Sequence, residues 1–130
     1  MNLATLICYD AVFANTVRKR VKSSNLIVNI SNDTWFGDSI GPYQHLNIAR
    51  IRSIENNKWT IRATNNGYSA IISNKGTIVS LSDKNSKQIL EGNVQLIDDR
   101  TFYSLYGYIL SYLISCIFVL LAIYRKFKNA

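Results

Sequence analysis

Only two cysteines, one histidine, one proline and six glycines occur among 130 residues, and each scarcity narrows what the chain can be. Cys8 and Cys116 lie far apart in unlike surroundings, which excludes a disulfide framework and any metal-ligand spacing. The glycines never gather into a phosphate-cradling loop, and no dinucleotide fingerprint is present. Neither a cofactor nor a metal is expected. Acidic residues number 8 against 15 Lys and Arg, and the formal net charge of +7 points to an anionic partner or surface. Nucleic acid is not the expected partner, because no recognition motif accompanies the charge. The basic residues cluster instead, at Arg18, Lys19, Arg20 and Lys22, at Arg50 and Arg52, and at Arg125, Lys126 and Lys128.

Against these scarcities stands one long charge-free run, Leu105 to Tyr124. A helix of about 20 residues at 1.5 Å per residue crosses one bilayer core. Residues 105–124 are therefore expected to form a transmembrane helix, with residues 101–104 as linker and 125–130 as a basic tail. Tyr103, Tyr106, Tyr108 and Tyr124 suit the two headgroup levels, and Cys116 falls inside the span with no chemical role. Arg125, Lys126 and Lys128 follow the run, so the positive-inside rule places the C-terminus in the cytoplasm and the domain before it outside. The opening residues Met1 to Tyr9 lack a basic leader and do not read as a signal peptide. Either the positive-inside reading fails here, or the chain is the tail of a longer membrane protein whose upstream helices export the domain.

Apolar, β-rich stretches recur at 3–8, 26–30, 59–64, 68–73, 77–81 and 89–97. Two helical patterns lie between them. Residues 10–22 carry Val12, Phe13, Val17 and Val21 at helical spacing, and residues 42–56 begin with Pro in the first turn. Asn65-Asn66-Gly67 and Asn74-Lys75-Gly76 read as hairpin turns, because Asn and Gly tolerate positive φ. Strand, helix, strand, helix and then a meander imply an α/β layered domain, or part of one, over residues 1–100.

Cys8 ends the apolar run Leu3 to Ile7 and is followed at once by Tyr9, Asp10 and a basic helix. A strand that turns into a helix holds its last side chain rigidly, which suits a nucleophile. A lone Cys after an apolar run also reads as a small buried hydrophobe. The loop Ser31-Asn32-Asp33-Thr34-Trp35-Phe36-Gly37 and the following Gly41-Pro42-Tyr43-Gln44-His45-Leu46 are rich in polar groups that must be bonded internally or serve a site. Trp35 and Phe36 either line that site or pack inward. His45, the only histidine, reads as a hydrogen-bonded structural residue.

The strings LICYD, SNDTWFG, GPYQHLNIARIRSIE and RATNNGYSAII, in this order, closely resemble the C-terminal third of bacterial apolipoprotein N-acyltransferases, which carry a nitrilase-like domain. The resemblance implies a partial nitrilase-like αββα sandwich followed by one transmembrane helix in the bacterial cytoplasmic membrane, with the sandwich on the periplasmic side. It implies transfer of an acyl chain from a phospholipid donor to the N-terminal amine of a lipoprotein's diacylglyceryl-cysteine. Cys8 matches the nucleophile, which would form a thioester with the acyl chain. The backbone N–H of Tyr9 would contribute to an oxyanion hole. Asp10 stands where the family usually has Glu, and its carboxylate is shorter by one methylene. Trp35, Phe36 and Tyr68 would line the acyl or headgroup site, or serve only as packing.

Departures from the family pattern are equally specific. Ser82-Asp83-Lys84-Asn85 replaces an apolar, Pro-containing loop, and Phe102-Tyr103-Ser104-Leu105 lacks the usual prolines before the last helix. The family's catalytic Glu and Lys precede the Cys and have no matching position here; Glu55 and Glu91 are the only glutamates and match other parts of the pattern. An unassisted thiol is only a few per cent ionised at neutral pH. The expectation is therefore an enzyme whose missing upstream part supplies both groups. The alternative is an inactive remnant or membrane-anchored interaction module.

Overall fold

The computed structural model describes residues 1–128 and is built on one mixed sheet. The strands are β1 (Leu3–Ile7), β2 (Leu26–Asn32), β3 (Trp59–Asn65), β4 (Ala70–Ile72) and β5 (Ile78–Leu81), in that spatial order. β1, β2 and β3 run parallel, while β4 and β5 return antiparallel. The crossovers between the parallel strands are α1 (Ala14–Arg20) and α2 (Gly41–Asn56). Two short helices or turns of the 3-10 type, Cys8–Val12 and Thr34–Phe36, leave the C-terminal ends of β1 and β2. A neighbourhood of loops at the carboxyl ends of parallel strands is where α/β proteins place their sites.

Alternation along the strands assigns the two faces. Ala4, Ile27, Thr60 and Ile72 lie in one cross-sheet row, and Leu6, Asn29, Arg62 and Ala70 in the next. All eight are buried. Ala4, Leu6 and Ile27 pack with Ala11, Val17 and Val21, while Ala70 and Ile72 pack with Leu46 and Ala49 of α2. Tyr68 joins this second cluster and meets Tyr43 edge-on at 6.4 Å, so it serves as packing in this arrangement. On the opposite face Leu3, Ile7 and Ile30 remain exposed. One face of the sheet is therefore covered by helices, while the other is bare at Leu3, Ile7 and Ile30.

The expected helix over 10–22 is divided: a 3-10 turn covers Cys8–Val12, α1 covers Ala14–Arg20, and a second 3-10 turn follows at Val21–Ser23. Phe13, with extended backbone, interrupts the pattern. Helix α2 matches its expected span, with Pro42 in the first turn and Asn57 in the left-handed conformation after its end. Both hairpin expectations hold, with Asn66 and Gly76 at positive φ. Residues 89–97 do not form the expected strand. They cross the sheet as an irregular strap, with the Gly92 backbone seated against Ile71 and a cavity of about 460 Å³ beneath residues 88–94.

The strap is anchored by a buried cation. Lys58, 1% exposed, donates from Nζ to the carbonyls of Ile97 and Asp99. Burial lowers its pKa, and the nearby Asp98 and Asp99 carboxylates oppose that shift. Beyond the strap, Thr101 caps α3 (Phe102–Tyr106), donates to the Glu55 carbonyl, and leads through Gly107 to α4 (Ile109–Lys128). Helix α4 is exposed over its described length and is long and apolar enough to cross a membrane. It begins four residues after the charge-free run does, because Gly107 at φ +63 separates it from α3. Tyr106 and Tyr108 are exposed as the interface expectation requires, but Tyr103 is half-buried and packs edge-on with Tyr108.

Lys58→Met is expected to leave the carbonyls of Ile97 and Asp99 without their donor and to cost about 1–3 kcal/mol. The denaturant midpoint of the intact protein, together with faster proteolysis between residues 85 and 100, measures this loss; an unchanged midpoint and cleavage rate would refute it.

Candidate active site at Cys8

Cys8 leaves β1 with φ +47, a conformation that residues with a Cβ seldom adopt. Such strain persists only where the surroundings over-determine it. Here Asn29, fully buried on β2, donates from Nδ2 to the carbonyls of Leu6 at 3.2 Å and Cys8 at 3.4 Å. Asp10 holds the other side of the turn, where its carboxylate accepts from the Ile7 N–H at 3.0 Å and pairs with Arg20. The Ile7 amide and then Arg20 hold its carboxyl below the usual carboxylate range. Asp10 thus stands beside Cys8 in sequence while its charge is directed to bracing the turn. Tyr9 lies in the first 3-10 turn, where early amides lack intrahelical acceptors, and its ring is exposed.

The half-buried Cys8 thiol lies 3.8 Å from the Asn32 carbonyl and 3.5 Å from the Ser31 hydroxyl. Ser31 in turn donates to Asp33 Oδ1 at 2.8 Å. Because a hydroxyl has one proton, donating to Asp33 turns its lone pairs toward the thiol. Among the described residues neither a carboxylate nor a lysine is hydrogen-bonded to Cys8 Sγ.

Behind Cys8 sits a buried polar cluster that the sequence reading did not assemble. Arg62, fully buried on β3, donates through Nη2 to Asp33 Oδ2 at 2.7 Å and through Nη1 to Asn29. Asp33 also takes His45 Nδ1 at 2.9 Å. A carboxylate only accepts, so the Nδ1 proton belongs on His45, and Nε2 is the ring's other nitrogen. That nitrogen is buried without a hydrogen-bond partner among the described residues, and His45 lines a cavity of about 50 Å³ together with Tyr9, Phe36, Gly41, Gln44 and Ile48. The expected structural role of His45 fits this setting. Burial alone would raise the Asp33 pKa, but the bonds from His45 and Ser31 and the Arg62 charge bring it below its usual value. Burial lowers the Arg62 pKa, and Asp33 opposes that shift.

The proposed lining residues separate. Phe36 is half-buried, meets His45 edge-on at 5.9 Å and faces the Gly41 backbone so closely that a Cβ there would collide with its ring. Trp35 is 89% exposed, so it is available to a ligand or surface and does not pack inward. Tyr68 lies in the α2 packing cluster. Lys84, in the polar loop Ser82-Asp83-Lys84-Asn85, donates to the Gly37 carbonyl at 2.8 Å and closes over the end of the Trp35 loop.

Since the folded Asp33 pKa lies below the usual value of 3.8, its contribution to stability is complete above that value and is lost as pH falls through the folded value. Asp33→Asn is expected to cost about 3–5 kcal/mol at neutral pH by leaving Arg62 buried without its counter-charge. It should also flatten the acid limb of stability against pH. Denaturant titrations of the intact protein from pH 7 to pH 2 test both effects, and coincident acid limbs would contradict them.

Residues 1–101 match the carbon-nitrogen hydrolase family. Among curated relatives, the apolipoprotein N-acyltransferase of Pasteurella multocida (strain Pm70) is 39% identical over 120 residues, covering 92% of this chain and 23% of the relative. That of Rickettsia prowazekii (strain Madrid E) is 38% identical over 125 residues, covering 95% of this chain and 25% of the relative. The chain thus spans about a quarter of the length of these curated relatives. A Cys-to-Ala mutant of Nesterenkonia AN1 amidase from the nitrilase superfamily shares the fold, with TM-score 0.51 and 21% identity over 62% of this chain and 33% of that one. The strained Cys turn at the end of a parallel strand, the α/β half-sandwich and the match over residues 1–101 agree, and the chain belongs to the carbon-nitrogen hydrolase family.

Proposed function

We propose that this chain is the nucleophile-bearing part of an apolipoprotein N-acyltransferase, acting on a phospholipid donor and a lipoprotein acceptor at the bacterial cytoplasmic membrane. The observation that carries the reading is Cys8 itself, held at φ +47 where β1 ends and partly open to solvent. The relatives' names supply the reaction class.

In this reading a base takes the Cys8 proton and the thiolate attacks the ester carbonyl of the phospholipid. The Tyr9 amide helps bind the resulting oxyanion. Collapse breaks the ester C–O bond, and the lysophospholipid alkoxide leaves with the proton returned by the base. The acyl chain remains on Cys8 as a thioester. The N-terminal amine of the lipoprotein then attacks the thioester carbonyl, gives up a proton, and expels the Cys8 thiolate as the amide forms. Two transfers replace one difficult step because a thioester yields to an amine more readily than an ester does.

The Glu base and Lys of this scheme come from a segment of the same enzyme outside residues 1–130. Two observations support that placement: neither a carboxylate nor a lysine is hydrogen-bonded to the thiol among the described residues, and the sheet face bearing Ile7 and Ile30 is bare. Helix α4 spans the bilayer, with the domain on the periplasmic side and the basic tail in the cytoplasm. In this reading Trp35 meets acyl chain or headgroup, which its exposure supports, and Phe36 lines the cavity it shares with Tyr9.

Cys8→Ala in the intact enzyme is expected to abolish the hydroxylamine-sensitive acyl-protein adduct and to slow acyl transfer by at least about 10³-fold. Transfer and adduct that survive Cys8→Ala would overturn the proposal. A membrane-anchored module without catalysis, which the engagement of Asp10 by Ile7 and Arg20 favours, predicts no adduct in the wild type either.

A further inference from the structure

The basic cluster of α1 is not absorbed by the chemistry at Cys8. Its position follows from contacts with the segment that leads into α4. The Arg18 guanidinium donates to the Leu105 carbonyl at 3.3 Å, and a Cβ on Gly107 would lie 3.1 Å from Arg18 Cζ. Arg100 donates in turn to the Lys22 carbonyl. The last turn of α1 is therefore clamped against residues 100–107, immediately before the apolar helix. Sequence separation hides this, because Arg18 and Leu105 are 87 residues apart.

Charge at this boundary is unequally committed. Arg20 is bound to Asp10 and the Thr5 carbonyl. Lys19 and Lys22 are exposed and form no ion pair among the described residues. The neighbouring acids are otherwise engaged: Asp98 accepts from Asn25, Asp98 and Asp99 both act on buried Lys58, and Glu55 pairs with Arg52. In the segment that Arg18 contacts, Phe102, Leu105 and Tyr106 are exposed over about half of their surface. Cations beside apolar and aromatic side chains, at the foot of an apolar helix, match the chemistry of a headgroup layer.

We propose that Arg18, Lys19 and Lys22, together with Phe102, Leu105 and Tyr106, form a surface that rests on the bilayer and takes anionic phospholipid headgroups. This inference rests on reading α4 as a membrane span. The clamp between Arg18 and residues 105–107 sets the height of α1 above the membrane, so the lysines reach phosphates while the aromatic rings enter the interface.

The test uses the intact protein in a background carrying Arg125→Gln, Lys126→Gln and Lys128→Gln, which removes lipid binding by the tail. Retention of added phosphatidylglycerol and of phosphatidylcholine is compared by native mass spectrometry from detergent. The background protein should prefer phosphatidylglycerol, and Lys19→Glu with Lys22→Glu should reduce that preference about fivefold for each lysine. Lys19→Arg with Lys22→Arg should keep it. An unchanged preference in the Glu pair, with an unchanged thermal midpoint, overturns the proposal. Alkaline carbonate extraction of membranes separates the premise: a chain that washes off does not span, and the surface assignment falls with it, whereas one that remains membrane-bound without lysine-dependent lipid preference refutes only the headgroup surface.

Discussion

A guanidinium placed in the middle of a layered domain must have its charge answered locally, since unpaired buried charge is very costly. Arg62 is answered by Asp33 from the end of β2 and by Asn29 from its middle. Asn29 then reaches the carbonyls of Leu6 and Cys8, and Asp33 reaches Ser31 and His45. One ion pair thereby ties β1, β2, β3 and α2 together at the carboxyl end of the sheet. The unusual backbone of Cys8 is held by this arrangement, so the position of the thiol depends on residues that never touch it. Gly67 shows how tight the cluster is: a Cβ there would collide with the Asp33 side chain.

A second buried cation organises the other end of the domain. Lys58 binds the carbonyls of Ile97 and Asp99, which draws the strap across the sheet and delivers residues 100–107 to the last turn of α1. The helix α4 is then attached through hydrogen-bonded neighbours, not by a free linker. Its basic end residues and the basic turn of α1 lie toward opposite ends of the same apolar helix. The fold thus places cations toward both ends of this apolar helix, where the local sequence shows a clear excess only after it.

The framework around the candidate site was legible where local chemistry carries it. The apolar run before Cys8 forms β1 and Pro42 stands in the first turn of α2, both as their own neighbourhoods indicate. The strap did not, since an apolar stretch such as 89–97 has the composition of a strand whether or not a neighbouring strand is present to pair with it. Arg62 was missed for a related reason: a charged residue in a strand reads as solvent-facing until its partner is seen, and Asp33 lies 29 positions away. Asp10 was noticed for its place beside Cys8, but its partner Arg20 emerges only when α1 folds back against β1.

The sequence by itself determined the layered α/β class, the family, the candidate nucleophile and the apolar helix, because these rest on periodicity, turn chemistry and local motifs that survive without contacts. Tertiary structure alone decided which charges are buried together, that Trp35 faces outward while Tyr68 packs, and that the α1 cations stand at the foot of α4. Those outcomes depend on long-range pairing and on the free energy of burying charge, which no local pattern of residues encodes.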